Sequence, residues 1–199
     1  MNPNRQARFE VLFAEHYAAV HRYALRRAEP PLAEEVVNET FLAAWRRLDK
    51  VPEEPLPWLY AAAGHVLANR RREAARHARR VAAAAADSGA TAARPGRVGV
   101  GDRAGRRAAL PASARDPADR LAERDATLRA FAALSEPDRE ALRLVAWERL
   151  SLADAAHVAG VSRTAFAMRV HRARRRLATH LREQGAALDL DFPLEPLDA

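Results

Sequence analysis

Residues 151–181 read SLADAAHVAGVSRTAFAMRVHRARRRLATHL, and their pattern predicts how the C-terminal part of the chain folds. Ser151 is followed three residues later by Asp154, an arrangement of the capping-box type, so a helix is predicted to begin near Leu152. This helix is short, because Gly160 follows it and can adopt the left-handed conformation that ends helices. The pattern is that of a helix-turn-helix.

The second helix of this motif is long and has one apolar side. Ser162 is its natural N-terminal cap. Apolar residues then recur at helical spacing and form one predicted buried stripe: Phe166, Val170, Ala173, Leu177 and Leu181. Small side chains in the first helix, Ala155, Ala156 and Ala159, let the second helix cross it closely.

Arginine dominates the rest of that long helix. Between positions 163 and 182 the sequence has seven arginines and no acid. A solvated surface usually mixes charges of both signs, whereas a helix of a single sign repels itself unless a polyanion neutralises it. We therefore expect this helix to bind nucleic acid.

Composition limits the possible classes of protein. The 199 residues are 49% apolar, largely alanine, which favours helices, and the net charge is +7. The sequence has no cysteine, which excludes disulfides, thiolate zinc sites and a cysteine nucleophile. No run approaches the roughly 20 apolar residues that span a bilayer, and the N-terminal residues are too polar for a secretory signal. A cytoplasmic location is predicted.

The polar residues do not form a pattern typical of catalysis. The seven histidines do not occur at ligand spacing beside a carboxylate on one polar face. A Ser/His/Asp constellation and a glycine-rich phosphate loop followed by lysine are both absent from the sequence. We expect no metal site, no cofactor and no enzymatic activity.

The chain is predicted to be all-α, with two small helical domains joined by a flexible linker. Residues 81–116 are rich in alanine, glycine, proline and arginine and have no apolar periodicity, which is typical of a linker, although the alanine run can extend the preceding helix by a turn or two. The folded domains are predicted at 5–80 and 117–183. Residues 184–199 form an acidic tail, which is either disordered or docked on a basic surface of one domain.

Apolar spacing predicts three helices in the first domain. The first has the apolar and aromatic positions Phe9, Leu12, Phe13, His16, Tyr17, Val20, Tyr23 and Ala24. The second buries Val37, Phe41, Ala44, Trp45 and Leu48 and exposes Glu34, Glu35, Asn38, Glu39 and Leu42. A proline-rich loop, 49–57, precedes the third, which begins near Trp58 and ends in three consecutive arginines at 70–72.

The second domain has two further helices before the helix-turn-helix. One is expected to use Leu121, Leu128, Phe131 and Ala132. The next is capped by Ser135, with Asp138 three residues later, and is expected to bury Ala141, Leu142, Val145, Ala146 and Leu150. Trp45 and Trp147 lie on helical stripes and are predicted to be core residues.

These segments resemble, in order and spacing, the extracytoplasmic-function class of bacterial sigma factors. ARFEVLFAEHYAAVHRYALRR (7–27), LAEEVVNETFLAAWRRL (32–48) and PWLYAAAGHVLANRRR (57–72) are similar to region 2 of that family. Residues 128–177, from LRAFAAL to HRARRRL, are similar to its region 4. The resemblance implies a factor that binds RNA polymerase core and directs it to promoters.

The resemblance also implies roles for individual residues. Core polymerase would contact Glu35, Asn38, Glu39 and Leu42. The melted minus-ten strand would follow the loop and third helix, at Glu53, Glu54, Pro57, Trp58, His65, Asn69, Arg70, Arg71 and Arg72. Bases of the minus-thirty-five element would meet Arg163, Thr164, Ala167, Met168 and His171, and phosphates would meet Arg169, Arg172, Arg175 and Arg176. The implied partners are core polymerase, promoter DNA and an anti-sigma factor, with no small-molecule substrate.

Some positions differ from the common family pattern. His65 replaces a common asparagine, Asn69 replaces a common aspartate, and Ala167 and Met168 lack the hydrogen-bonding groups that the family often has there. The promoter sequence is therefore expected to differ from the common one. Two alternative functions remain at this stage: a free-standing helix-turn-helix regulator, which would not need the acidic helix at 34–42, and a basic RNA-binding protein.

Overall fold

The computed structural model describes residues 3–87 and 117–184 of the chain. Every regular element within these ranges is a helix, so the all-α prediction is confirmed. The chain divides into two compact units, and the boundary between them in the sequence lies near residue 98. The predicted linker is 81–116, and its residues 88–116 lie outside the described residues. The same holds for residues 185–199 of the predicted tail, 184–199.

The N-terminal unit contains three α-helices. They are α1 (Pro3–Leu25), α2 (Pro30–Arg46) and α3 (Pro55–Asp87), with a short 3-10 turn at Leu48–Lys50 between α2 and α3. Pro30 occupies the first turn of α2, where its missing N–H costs no hydrogen bond. The helix α3 begins at Pro55, before the predicted start near Trp58, and it continues past the predicted end at 70–72 as far as Asp87, so the beginning of the predicted linker is helical.

The three helices pack on one another around a core of apolar side chains. Its buried members include Val20, Tyr23, Val36, Val37, Phe41 and Leu59. Tyr23 stacks on Tyr60 with ring centroids 4.7 Å apart, and its hydroxyl approaches Gly64, where an added Cβ would lie 3.3 Å from the oxygen. The glycine therefore allows α1 and α3 to approach closely.

The C-terminal unit contains four helices: α4 (Pro117–Ala132), α5 (Glu136–Ala146), α6 (Leu152–Ala159) and α7 (Arg163–Glu183). The three predicted N-caps are confirmed. The hydroxyls of Ser135, Ser151 and Ser162 accept hydrogen bonds from backbone N–H groups three residues later, at 3.4, 3.1 and 3.2 Å. Gly160 has φ of 65°, as the predicted left-handed helix end requires.

The core prediction for α4 was wrong. Leu121 and Leu128 are 62% and 67% exposed, whereas Ala126 and Ala130 are buried. The buried alanines lie on roughly the opposite side of the helix from the leucines, given about 100° per residue. Small side chains at the contact allow α4 to pack closely on α7.

The core prediction for α5 was only partly correct. Ala141 and Leu142 are buried as expected, but Leu144, which was not predicted, is fully buried. Three expected core members, Val145, Ala146 and Leu150, are only partly buried.

The tryptophan predictions also need correction. Trp147 is 52% exposed, because it follows the last residue of α5 and its ring lies against Phe131 at the edge of the unit, 5.5 Å between centroids. Trp45 is half-buried. Its ring contacts that of Phe9, 5.2 Å between centroids, and the Arg5 guanidinium lies 5.2 Å from it.

Candidate nucleic-acid interface

The helix α7 has a buried side and a basic exposed side. All five residues of the predicted apolar stripe are buried, and Phe166 is completely inaccessible. Four of the residues predicted at base edges are exposed: Arg163, Thr164, Met168 and His171. The left-handed turn at Gly160 and the Ser162 cap fix where this helix begins.

Ala167 does not belong to the exposed set. It is only 6% exposed, and it lies beside Phe166 and Val170 on the inner side of α7. A buried methyl group cannot reach a base edge, so the burial of Ala167 contradicts its predicted contact with a base. Its small size instead serves the packing of α7 within the unit.

The C-terminal half of α7 lines an open groove of about 340 Å³. Its described lining residues are Arg172, Arg175, Arg176, Thr179 and His180. Three guanidinium groups without an acid in this lining make a surface suited to phosphate oxygens. The predicted phosphate contacts Arg172, Arg175 and Arg176 are thus brought together, whereas Arg169, nearer the start of the helix, is half-buried.

Arg176 also has a structural partner that the sequence did not reveal. Its Nη1 donates to Oδ2 of Asp138 at 2.5 Å, and the Asp138 side chain is only 7% exposed. Asp138 was recognised only as part of a helix cap, because its contact with Arg176 joins positions 38 residues apart. This ion pair links α5 to α7.

The outer side of α2 carries the residues predicted to contact polymerase. Glu35, Asn38, Glu39 and Leu42 are all exposed, and Leu42 is 46% accessible. The opposite side of the helix, including Val36, Val37 and Phe41, is buried. The structure therefore brings the four predicted residues together on one exposed helix face.

Arg70 links this face of α2 to α3. Its guanidinium forms a hydrogen-bonded ion pair with Glu39, and Nη2 lies 3.4 Å from Oε2 of Glu35. Glu73 approaches Nη1 at 3.5 Å. The attraction of Glu39 is the main cause that raises the pKa of the Arg70 guanidinium above its ordinary value, with burial opposing it and Glu35 adding to it.

Of the other residues predicted along the melted strand, Glu53 and Glu54 lie on the loop before α3 and the rest lie on α3. Glu53, Glu54, His65, Asn69, Arg71 and Arg72 are exposed, and Pro57 and Trp58 are half-buried. Arg72 donates to the side-chain oxygen of Asn69 at 2.5 Å, and Arg71 donates to the carbonyl of Arg27 at 3.3 Å.

Within 3–87 and 117–184, no group of three or more histidine, aspartate or glutamate side chains could hold a metal ion. In the same ranges, none of the helices has the length and apolar character that crossing a membrane requires.

Comparison with known protein families agrees with the two units. The family described as Sigma-70 region 2 matches residues 12–77, from α1 into α3. The family described as Sigma-70, region 4 matches residues 124–177, from α4 into α7. Together these matches cover more than half of the chain, in the expected order. The chain belongs to the sigma-70 family.

Sequence relatives of this sigma-70 protein have the predicted class. A segment of 72 residues is 36% identical to the ECF RNA polymerase sigma factor SigL of Mycobacterium tuberculosis, in each of three strains. The segment covers 34% of this chain and 41% of SigL, so the chain spans about two fifths of the length of these relatives. The prediction of an extracytoplasmic-function member of the sigma-70 family is confirmed.

Two solved structures have a similar fold. The sigma factor RpoE of Bartonella quintana, in complex with the anti-sigma factor NepR, is 22% identical with a TM-score of 0.52, over 87% of this chain and 96% of RpoE. CnrH, in complex with the cytosolic domain of CnrY, is 22% identical with a TM-score of 0.54, over 88% of each chain. At this level of identity the similarity concerns the fold alone.

Proposed function

We propose that this sigma-70 protein binds bacterial RNA polymerase core and directs it to a set of promoters. The observation that carries the proposal is the division of charge between the units. One unit has an acidic exposed face on α2, and the other has a basic exposed face on α7. A free-standing DNA-binding regulator needs only the second of these faces.

Core polymerase would dock on α2. Exposed carboxylates at Glu35 and Glu39 suit a basic protein surface, Asn38 adds a donor and an acceptor, and Leu42 adds apolar area. These four side chains share one exposed helix face, so contact with polymerase would not require the buried apolar residues of the N-terminal unit to rearrange.

Region 2 would hold the melted minus-ten strand. The loop residues Glu53 and Glu54, together with Pro57 and Trp58 in the first turn of α3, would form the pocket for an unstacked base. An extruded base is read by hydrogen bonds and aromatic stacking. Farther along α3, the strand would pass His65, Asn69 and the arginines at 70–72.

Region 4 would read the minus-thirty-five element in the major groove. The N-terminal residues of α7 that are exposed, Arg163, Thr164, Met168 and His171, would face base edges. Arg169, Arg172, Arg175 and Arg176 would contact phosphates, which hold the helix in register and make binding depend on salt.

Other parts of the proposal concern organisation and partners. The functional domains would be 5–80 and 117–183, joined by the segment 81–116 and followed by the acidic tail 184–199. An anti-sigma factor is a proposed partner, supported by the two similar folds that were solved with NepR and with the cytosolic domain of CnrY. The protein would act in the cytoplasm as a binding factor, without a cofactor, a substrate or catalysis of its own.

Binding of core polymerase by α2 tests the proposal. The labelled chain would be titrated with core polymerase and followed by fluorescence anisotropy. The double variant Glu35→Arg, Asn38→Ala should raise Kd by about tenfold or more, since about 1.4 kcal/mol corresponds to tenfold. A matched control is Glu10→Arg, Gln6→Ala on α1, which makes the same type of charge reversal and amide loss at exposed positions and should leave Kd within about twofold.

The two possible failures have different meanings. If neither the wild-type chain nor the variants bind core polymerase, while the wild-type chain binds duplex DNA, the free-standing regulator is the better description. If both variants bind core as tightly as the wild type, α2 is not the docking surface.

A further inference from the structure

The guanidinium of Arg70 occupies a cluster of carboxylates contributed by two helices. Two of them, Glu35 and Glu39, belong to α2, and Glu73 belongs to α3 itself. The Arg70 side chain is 37% exposed, and its Nε is buried without a hydrogen-bond partner in the described part of the chain. The side chain is therefore held toward α2 rather than extended into solvent.

This cluster joins two surfaces that have different proposed ligands. Glu35 and Glu39 belong to the proposed docking face for core polymerase. Arg70 lies between Asn69 and Arg71 on α3, in the proposed path of the melted strand. A carboxylate that neutralises Arg70 occupies the positions that phosphate oxygens would take on the same guanidinium, so the two contacts compete.

We propose that Glu35 and Glu39 withhold Arg70 from single-stranded DNA in the free protein, and that docking of polymerase on α2 releases it. The inference rests on the proposed function and deepens it, because it assigns one side chain to the coupling between the two surfaces. Arg70 is then a direct strand contact whose availability depends on whether α2 is occupied by polymerase.

The ion pairs of this cluster are weak enough to be exchanged reversibly. Ion pairs at exposed positions contribute little free energy and are screened by salt, so cations of a basic protein surface can replace Arg70 as the partners of Glu35 and Glu39. Glu73 stays on α3 beside Arg70 and moves with it, so it does not distinguish the two states. The relevant change is the loss of the Glu35 and Glu39 contacts alone.

A single-strand binding experiment on the free chain tests whether Glu35 and Glu39 withhold Arg70. The probe is a fluorescent DNA 12-mer of randomised sequence, because a phosphate contact does not depend on the base. The variant Glu35→Gln, Glu39→Gln keeps the size of both side chains but removes both charges. We expect it to bind the probe roughly tenfold more tightly than the wild type, at low salt where such contacts are strongest.

Two comparisons separate release of Arg70 from a general gain of positive charge. The matched control Glu29→Gln, Glu34→Gln removes two charges at exposed positions of the same helix region, neither of which is among the described contacts of Arg70, and should change affinity by less than about threefold. The second comparison repeats the Glu35→Gln, Glu39→Gln substitution in an Arg70→Ala chain, where the gain should disappear. Melting curves verify that each variant is folded.

The proposal is overturned by any of three results. These are no gain in the Glu35→Gln, Glu39→Gln chain, an equal gain in the Glu29→Gln, Glu34→Gln chain, or an equal gain when Arg70 is alanine. Because these measurements use the free chain, they do not depend on polymerase. Failure of wild-type protein to bind core polymerase in a parallel titration would instead contradict the proposed function.

Discussion

Replacement of Phe166 by alanine should remove most of the stability of the C-terminal unit. The ring is 0% exposed in the first turns of α7, which packs against α5 and α6. Losing about 100 Å² of buried apolar surface costs about 2.5 kcal/mol at about 25 cal/mol per Å². A residual cavity of about 60 Å³ adds about 1.5 kcal/mol. The expected loss is therefore about 4 kcal/mol, within the range of about 3–5 kcal/mol typical of such substitutions.

A loss of this size is comparable with the whole stability of so small a unit. Below about 70–80 residues, one hydrophobic core rarely supplies more than about 3–5 kcal/mol. We therefore expect the Phe166→Ala unit to be largely unfolded at 25 °C in the absence of DNA, and its binding of duplex DNA to weaken accordingly.

Urea-induced unfolding followed by tryptophan fluorescence measures the effect. Of the three tryptophans, Trp147 alone lies in the C-terminal unit, so a parent chain carrying Trp45→Phe and Trp58→Phe reports on that unit. Met168→Ala is the matched control on α7, because Met168 is 56% exposed and its truncation should cost no more than about 0.5 kcal/mol. A Phe166→Ala chain within about 1 kcal/mol of the parent would refute the packing argument.

Four further substitutions have defined outcomes. Gly160→Ala should destabilise the unit by about 1–2 kcal/mol in the same urea assay, because Gly160 has φ of 65° and a left-handed backbone is unfavourable for alanine. The added Cβ meets no described atom within 4 Å, so a steric clash does not contribute. Arg149→Gly should stabilise it by about 0.5–1 kcal/mol, because Arg149 has φ of 52°; reduced stability would contradict this. Arg172→Ala should lower the slope of log affinity for duplex DNA against log salt by about one, whereas Thr164→Ala should leave the slope unchanged.

The features that the sequence predicted correctly depend on neighbours within a few residues. Ser162 caps α7 through the N–H group three positions later, and Gly160 ends α6 through its own backbone conformation. The buried stripe that begins at Phe166 follows from the helical period alone. Such local rules also place the exposed acids of α2 on one face.

The features that it missed depend on which side of a helix meets another helix. Leu121 and Leu128 are larger than Ala126 and Ala130, but the alanines face the core because close helix packing favours small side chains at that contact. Arg70 was predicted only as a strand contact, since its partner Glu39 lies 31 residues away in the sequence. The burial of Ala167 likewise depends on the packing of α7 within its unit.

The most direct measurement is to map transcript start sites made in vitro by core polymerase on fragmented genomic DNA, with and without the purified chain. We expect new, discrete start sites that need the chain, share upstream elements near minus ten and minus thirty-five, and disappear with the Glu35→Arg, Asn38→Ala variant. Sequence-specific binding of the chain to genomic fragments, with no start site that depends on it, would contradict the proposed function.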